Sequence, residues 1–178
     1  MRVFLVGEHN PYGSDPRFAL YPSPRYSAAG RLAAVLGYTP EEYLRTFGQR
    51  RNLLTELPWS APRARDAARR VLGETLQGDR LFLLGTKVAA AFGLRLQTDN
   101  LVSSVLPVIR MTSERVEDAL QEHEVQCLVL PHPSGRSCAW NDAAMGPRVR
   151  SAVADLLGVK SYPGGIAPLP TVAAGAEA

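Results

Sequence analysis

A histidine that stands between two prolines is the residue of this chain best placed to do chemistry. The apolar run 125–130 stops at Pro131, and His132 and Pro133 follow. Because proline fixes φ near about −65° and removes a backbone donor, stiff backbone aims the imidazole at the end of a strand. Loops that follow strands are where active sites lie in open α/β sheets. A His-Pro pair in a turn can also be only a turn, so other parts of the chain must decide between the two interpretations.

The elements that would position this histidine are alternating strands and helices. Apolar runs predict strands near residues 2–6, 50–54, 80–84, 105–109 and 125–130. Capping residues predict where the helices begin, namely Ser23 with Pro24, Thr39 with a capping box, Ser60, Thr86, Thr112 or Ser113, and Asn141 or Asp142. Pro107 lies inside one of the strands, which favours an edge or bulged position for it.

This alternation predicts a three-layer α/β domain with a mostly parallel central sheet. The loops at the carboxyl ends of the strands should then meet at one edge of the sheet. We expect a single domain over residues 1–160, because 178 residues suit one hydrophobic core. Residues 161–178 are rich in Pro, Gly and Ala, which predicts an unpaired, flexible tail.

Composition narrows the class of protein. The hydrophobic fraction of 46% and the charged fraction of 21% are ordinary for a globular domain. No apolar run is long enough to span a bilayer, and the first strand is too short for a signal peptide, so we expect a cytoplasmic protein that does not bind membranes. The net charge is +3, and arginines concentrate near residues 50–51, 63–70 and 136–150. This basicity permits a nucleic-acid partner without requiring one.

Two loops together carry a family resemblance. The segment Gly7-Glu8-His9-Asn10-Pro11-Tyr12 after the first strand and His132-Pro133-Ser134-Gly135-Arg136 after the last resemble the two signature motifs of the uracil-DNA glycosylase superfamily. The segment 85–93 is similar to the one that follows the third strand in those proteins. The resemblance spans roughly residues 2–157. It implies a four-stranded parallel sheet between helices, hydrolysis of a base–sugar bond in DNA, a double-stranded DNA partner and a monomer. It implies no metal or other cofactor, since two cysteines are too few for an iron–sulfur cluster.

The resemblance also implies catalytic roles. His132 would donate a hydrogen bond to the carbonyl oxygen of the departing base, where negative charge develops. Asn10 would hold the attacking water, by positioning it rather than by taking its proton, because an amide is not a strong base. The first motif has one residue more than the common family pattern, which can displace Asn10. A carboxylate at Glu8 or Asp15 is the alternative water-binding group.

The remaining roles concern the base and the DNA. Tyr12 would line the pocket beside the base. One of Phe18, Tyr21 or Tyr26 would stack on it, and position favours Tyr21. Asn52 would read the edge of the base, although Asn52 is equally compatible with a loop role. Arg136, with Trp140 as second choice, would fill the gap that the flipped base leaves. Ser23 and Ser134 would bind the flanking phosphates or merely cap local structure.

Three functions remain open at this stage. The first is excision of uracil or another damaged base. The second is defence against phages by excision of bulky modified cytosines such as glucosylated hydroxymethylcytosine, because Gly13 and Ser14 could leave room around C5. The third is a non-catalytic domain that binds nucleic acid or nucleotides, since a fold does not establish an activity.

Overall fold

The computed structural model describes residues 1–9, 15–55, 57–96, 102–111, 120–133, 138–162 and 165–169. The strands in chain order are β1 Val3–His9, β2 Gln49–Leu54, β3 Arg80–Leu84, β4 Val102–Met111, β5 Leu120–Leu130, β6 Ser161–Tyr162 and β7 Gly165–Ile166. The α-helices are α1 Ala28–Leu36, α2 Pro40–Thr46, α3 Ala61–Glu74, α4 Thr86–Ala91 and α5 Met145–Leu157. Short 3₁₀ turns lie at Pro16–Phe18 and Cys138–Asn141.

The central sheet has the strand order β2-β1-β3-β5-β4. The first four strands in this order run parallel, and β4 pairs with β5 in the antiparallel sense. The predicted α/β class and the four-stranded parallel sheet are confirmed. The strand that contains Pro107 forms a fifth, antiparallel edge, as its proline favours, because an edge strand tolerates a missing backbone donor.

Helices cover both faces of the sheet and bury two cores. Alternation of side chains along β1 sends Leu5 to one core, with α1, α2 and α5. The same alternation sends Phe4 and Val6 to the other core, with α3 and α4. Strands buried on both faces read as continuous apolar runs, which explains why β1, β3 and β5 were predictable from sequence. The chain is therefore a three-layer α/β/α sandwich.

Three predicted helix caps are wrong. Thr86 is the first residue of α4, and Gly85 holds the cap position. Ser23 does not cap α1, which begins at Ala28 after Ser27, whose hydroxyl accepts a hydrogen bond from the Gly30 N–H at 3.0 Å. Neither Asn141 nor Asp142 caps α5; the Asp142 carboxylate accepts from the Ala144 N–H at 2.9 Å and closes a turn before the helix. The predicted polar residues lie within four positions of the true caps, Ser27 for α1 and Ala144 for α5.

The predictions for the later segments differ in outcome. The capping box at Thr39 is confirmed, with both of its hydrogen bonds present. The last parallel strand begins at Leu120, five residues earlier than predicted, because β4 gives it a long antiparallel partner. The helix predicted to begin at Thr112 or Ser113 falls largely on residues 112–119, which lie outside the described residues.

The beginning of the predicted tail is paired. Residues Ser161 and Tyr162 form a small antiparallel ladder with Gly165 and Ile166. Ile166 is buried in the first core, and the Tyr38 hydroxyl donates to the carbonyl oxygen of Ala167 at 3.2 Å. The prediction of an unpaired segment is therefore wrong for residues 161, 162, 165 and 166, and Ile166 packs in the core.

A buried carboxylate connects the start of β1 with the turn before β3. Asp79 is only 3% exposed and accepts hydrogen bonds from the Arg2 backbone N–H at 2.8 Å and from the Arg2 guanidinium at 2.7 Å. Burial by itself raises the pKa of Asp79, but the hydrogen bonds from Arg2 and from the Leu76 N–H outweigh it, and the pKa falls below 3.8. Ionised Asp79 therefore stabilises the folded state at pH values above its ordinary pKa of 3.8. This stabilisation is lost as the pH falls through the lowered pKa of Asp79 in the folded state.

We expect Asp79→Ala to lower the free energy of unfolding at pH 7 by about 2 kcal/mol, the scale for charged hydrogen bonds to a buried group. Urea denaturation measures this difference, which should shrink as the pH drops below 3.8, where the wild-type carboxylate also protonates. The matched control is Asp66→Ala, because Asp66 makes an exposed pair with Arg69. Its removal should change stability by less than about 0.5 kcal/mol. Equal effects of the two substitutions would contradict the structural role of Asp79.

Candidate active site

The strand order locates a switch point in the sheet. From β1 the chain crosses to β2 on one side, and from β2 it crosses to β3 on the other side of β1. Helices α1 and α2 make the first crossover on one face, and α3 makes the second on the opposite face. Ligands bind at the carboxyl ends of the strands beside such a switch point. The loops after β1, β2, β3 and β5 share this edge, as the sequence predicted.

Four residues succeed one another across this edge. Asn52 on β2 pairs in register with Gly7 on β1. Gly85 directly follows β3, and its N–H donates to the carbonyl oxygen of Leu130 at 2.9 Å, two residues before His132. We call these residues the edge row (Asn52, Gly7, Gly85 and His132). Asn52 and Gly7 are in register, whereas Gly85 and His132 lie one and two residues beyond the paired residues Leu84 and Leu130. The space over the two glycines is occupied by neighbouring side chains, Asn52 and Leu20 over Gly7 and His132 over Gly85.

Gly7 lies directly beneath the Asn52 side chain. A Cβ atom at Gly7 would lie 2.8 Å from Asn52 Oδ1 and 2.9 Å from Leu20 Cδ2, closer than real Cβ contacts. Leu20 has φ +49°, a left-handed conformation that leucine rarely adopts, and it packs against the first core. Strained backbone of this kind persists where the surroundings fix it, often beside functional sites. Glycine is therefore required at position 7 for Asn52 and Leu20 to lie where they do.

His132 is held by backbone and by its neighbours. Its ring lies against Gly85, where a Cβ would be 3.1 Å from His132 Cβ and 3.5 Å from Cδ2. Pro131 and Pro133 are buried on either side, while His132 itself is partly exposed. The Trp140 Nε1–H donates to the carbonyl oxygen of His132 at 3.0 Å. An imidazole fixed in this way can present a hydrogen bond without first reorganising, as electrostatic catalysis requires.

Asn52 carries an unused acceptor. Its Oδ1 is buried and has no hydrogen-bond partner among the described residues. A buried polar atom without a partner costs about 1–3 kcal/mol, and such atoms are rare in folded proteins. The base-reading role and the loop role that the sequence left open for Asn52 both stay predictions.

Glu8 and Asp15 each form an ion pair. Side-chain alternation puts Glu8 on the face of Val6, opposite to Gly7, and its carboxylate pairs with Lys87 Nζ at 3.4 Å. The Asp15 carboxylate is tied to Arg17 at 2.7 Å, and the hydrogen bonds from Arg17 lower the pKa of Asp15. The water-binding role of either carboxylate stays a prediction.

The other sequence-predicted residues are placed as follows. Tyr21 is exposed and makes an edge-to-face contact with Phe18 at 5.9 Å. Ser23 is exposed, and Trp140 packs against the first core as well as holding the His132 loop. This position makes Trp140 a support of the loop, and its insertion into DNA stays a prediction. Four predicted site residues lie outside the described residues: Asn10, Tyr12, Ser134 and Arg136.

An open cleft of ≈520 Å³ begins at Asn52 and extends along the free edge of β2. We call it the β2 cleft; it is lined by Asp15, Pro16, Arg17, Ala19, Gly48, Gln49, Arg50, Arg51, Asn52, Leu54 and Thr55. Because β2 is the outermost parallel strand, its outer edge pairs with no other strand among the described residues. The β2 cleft therefore adjoins the edge row at Asn52 and lies on the outer side of β2.

Sequence reasoning missed two cations and the role of one glycine. Lys87 pairs with Glu8, Arg50 lines the β2 cleft, and Gly85 makes room for the His132 ring. The signal for Arg50 was available, since it stands two positions before Asn52 and residues at this spacing share a face of a strand. No local signal connects Lys87 with Glu8, because their pairing depends on β1 and β3 being neighbours.

Comparison of the chain with protein-family models, with curated proteins and with solved structures found no match in any of the three. Among the described residues, no helix is both long and apolar enough to cross a bilayer. The same residues contain no group of three His, Cys, Asp or Glu side chains arranged to hold a metal ion. The functional interpretation therefore rests on the residues and on their geometry.

Proposed function

We propose that this protein is a DNA glycosylase that hydrolyses the N-glycosidic bond of a flipped damaged or modified base and leaves an abasic site. The observation that carries the proposal is the edge row, in which the Asn52 amide, whose Oδ1 has no partner among the described residues, packs over Gly7 and the loop-fixed imidazole of His132 packs over Gly85. The two motifs after β1 and β5 favour this chemistry over other reactions. DNA is the expected partner, and the basic composition agrees with it.

The reaction breaks the bond between C1′ of the sugar and a ring nitrogen of the base. The electron pair of that bond leaves with the base, where His132 stabilises the negative charge by donating a hydrogen bond to a carbonyl oxygen. Water then attacks C1′, loses a proton to solvent and becomes the hydroxyl of the abasic sugar, while the base anion is protonated on release. Asn10 is the proposed ligand of this water. One preorganised donor of this kind contributes about 3–4 kcal/mol to lowering the barrier.

Asn52 would identify the base before cleavage. Its amide offers one acceptor and two donors, so it can pair with a base edge that presents a donor beside an acceptor, as the uracil edge does. The Oδ1 atom that the fold leaves unpaired would then gain its partner from the substrate. A site built in this way rejects bases with the wrong pattern, because they leave the amide unsatisfied.

The test is incubation of the protein with duplexes that each carry one candidate base, followed by alkali to cleave abasic sites. The panel contains uracil, hypoxanthine, mismatched thymine and glucosylated hydroxymethylcytosine. The last is included because the β2 cleft beside Asn52 is larger than an unmodified pyrimidine needs. Breakage at one of these bases supports the proposal and names the substrate. Tight DNA binding with no breakage at any base would favour the non-catalytic domain instead.

A further inference from the structure

Arg50 lies in the β2 cleft and has no counter-ion in the part of the chain that the structure describes. Arg50 is partly buried, and the described residues offer its guanidinium one acceptor, the carbonyl oxygen of Phe47, which Nη1 reaches at 2.9 Å. Its Nε is buried and unpartnered among the same residues. A partly buried charge without a partner is rare, since burying it is unfavourable unless another group compensates.

The other charges of the cleft neutralise one another. Arg17 pairs with Asp15 at 2.7 Å, and Arg51 pairs with Glu74 at 2.6 Å. The Tyr43 hydroxyl close to Arg50 supplies no negative charge, because burial raises the pKa of Tyr43 far more than the Arg50 charge lowers it. Among the described residues, the cleft therefore keeps one uncompensated positive charge, which belongs to Arg50.

Arg50 stands beside the unpartnered amide. Arg50 pairs with Leu5 and Asn52 with Gly7 along the same strand, so both side chains lie on the first-core face of β2, about 6.6 Å apart along it. A ligand that binds both Arg50 and Asn52 must carry an anionic group for the guanidinium and a hydrogen-bonding group for the amide. These two groups must be separated by about the same distance as the two residues, about 6.6 Å. A nucleotide has both, as phosphate and base edge. Exposed aromatic rings, Phe18 and Tyr21, stand on the segment that forms the opposite wall, where bases could stack.

We propose that the β2 cleft is a phosphate-binding site whose charged donor is Arg50. The phosphate is either a diester of the DNA strand that carries the target base or the terminal phosphate of a free nucleotide. The inference rests on the proposed function only in naming DNA as a source, because phosphate binding can be measured without any excision. Arg50 would convert the edge row from a site for a base alone into a site for a nucleotide.

The experiment measures the binding of a short fluorescent oligothymidylate to the full chain by anisotropy at increasing salt concentrations. We expect Arg50→Ala to weaken binding about tenfold or more, the scale for one charge-assisted hydrogen bond. It should also reduce the slope of log affinity against log salt by about 0.7, the value for one phosphate contact to a single strand. Arg50→Lys keeps the charge and should keep the slope. The matched control is Lys160→Ala, which removes one exposed positive charge just after α5.

Competition then distinguishes the two sources of phosphate, with thymidine 5′-monophosphate and thymidine as competitors. Displacement by the monophosphate alone, lost in Arg50→Ala, supports a terminal phosphate. No displacement, with the strand still dependent on Arg50, supports a diester. Because Arg50 is partly buried, melting temperatures of the variants are measured, and Arg50→Gln replaces Arg50→Ala if the latter does not fold. Wild-type affinity and salt slope in the folded Arg50 variants would overturn the proposal.

The outcomes for the two proposals are separable. If the protein excises a base and Arg50→Ala binds the oligothymidylate as wild type does, the proposed function is supported and the phosphate site is contradicted. Binding that depends on Arg50, without excision of any base in the panel, supports the phosphate site and removes the glycosylase.

Discussion

Replacing His132 by alanine should lower the rate of base excision at least about 100-fold, the scale for loss of one donor to a developing negative charge. The fall should appear in kcat, because the hydrogen bond strengthens only as the base departs. Single-turnover cleavage of a duplex that carries the base identified by the panel measures it. Substrate affinity should change little, since the uncleaved base carries only partial charge on its carbonyl oxygen.

His123 supplies the matched control for this substitution. It lies on β5, within 3.4 Å of Thr75 Oγ1, seven residues before the strand ends. His123→Ala should therefore leave the excision rate within about twofold of wild type, as expected for a residue away from the reacting atoms. Trp140→Phe removes the hydrogen bond to the His132 carbonyl oxygen but keeps an aromatic ring, and it should lower the rate less than His132→Ala does. Equal excision rates for wild type and His132→Ala would show that His132 is not the hydrogen-bond donor to the departing base.

Replacing Asn52 by alanine should impair function and spare stability. We expect kcat/KM to fall about 10–100-fold, because the substrate loses a bidentate partner. The free energy of unfolding should rise by about 1 kcal/mol, since the substitution removes a buried oxygen that has no partner in the described fold. Urea denaturation and single-turnover cleavage of the same preparations measure the two effects. A residue kept only for the fold would not show these opposite signs.

The control for Asn52 is an exposed amide elsewhere, Gln77, in the turn that precedes β3. Gln77→Ala should change neither the rate nor, beyond about 0.5 kcal/mol, the stability. Loss of stability in Asn52→Ala, with excision unaltered, would show that Asn52 serves the fold and would remove the amide end of the edge row from the proposed function.

Many of the strands and helices could be predicted because the sequence patterns that indicate them extend over only a few residues. Strands buried on both faces appear as apolar runs, and the capping box at Thr39 lies within four residues, so β1, β3, β5 and α2 could be located from the sequence. Boundaries were less certain where several candidate caps are close together. Ser23 and Ser27 both suit the start of α1, and only the packing of the helix against the sheet selects Ser27.

The sequence by itself determined the α/β class, the parallel core of the sheet and the two loops that carry the motifs, because hydrophobic periodicity and turn residues act over short distances. Tertiary structure alone decided that Asn52, Gly7, Gly85 and His132 succeed one another across one edge. It also decided that Glu8 pairs with Lys87 and that Arg50 has no counter-ion among the described residues. These relations depend on which strands are neighbours and on which side chains meet between distant segments. Such contacts are settled only when the whole chain packs.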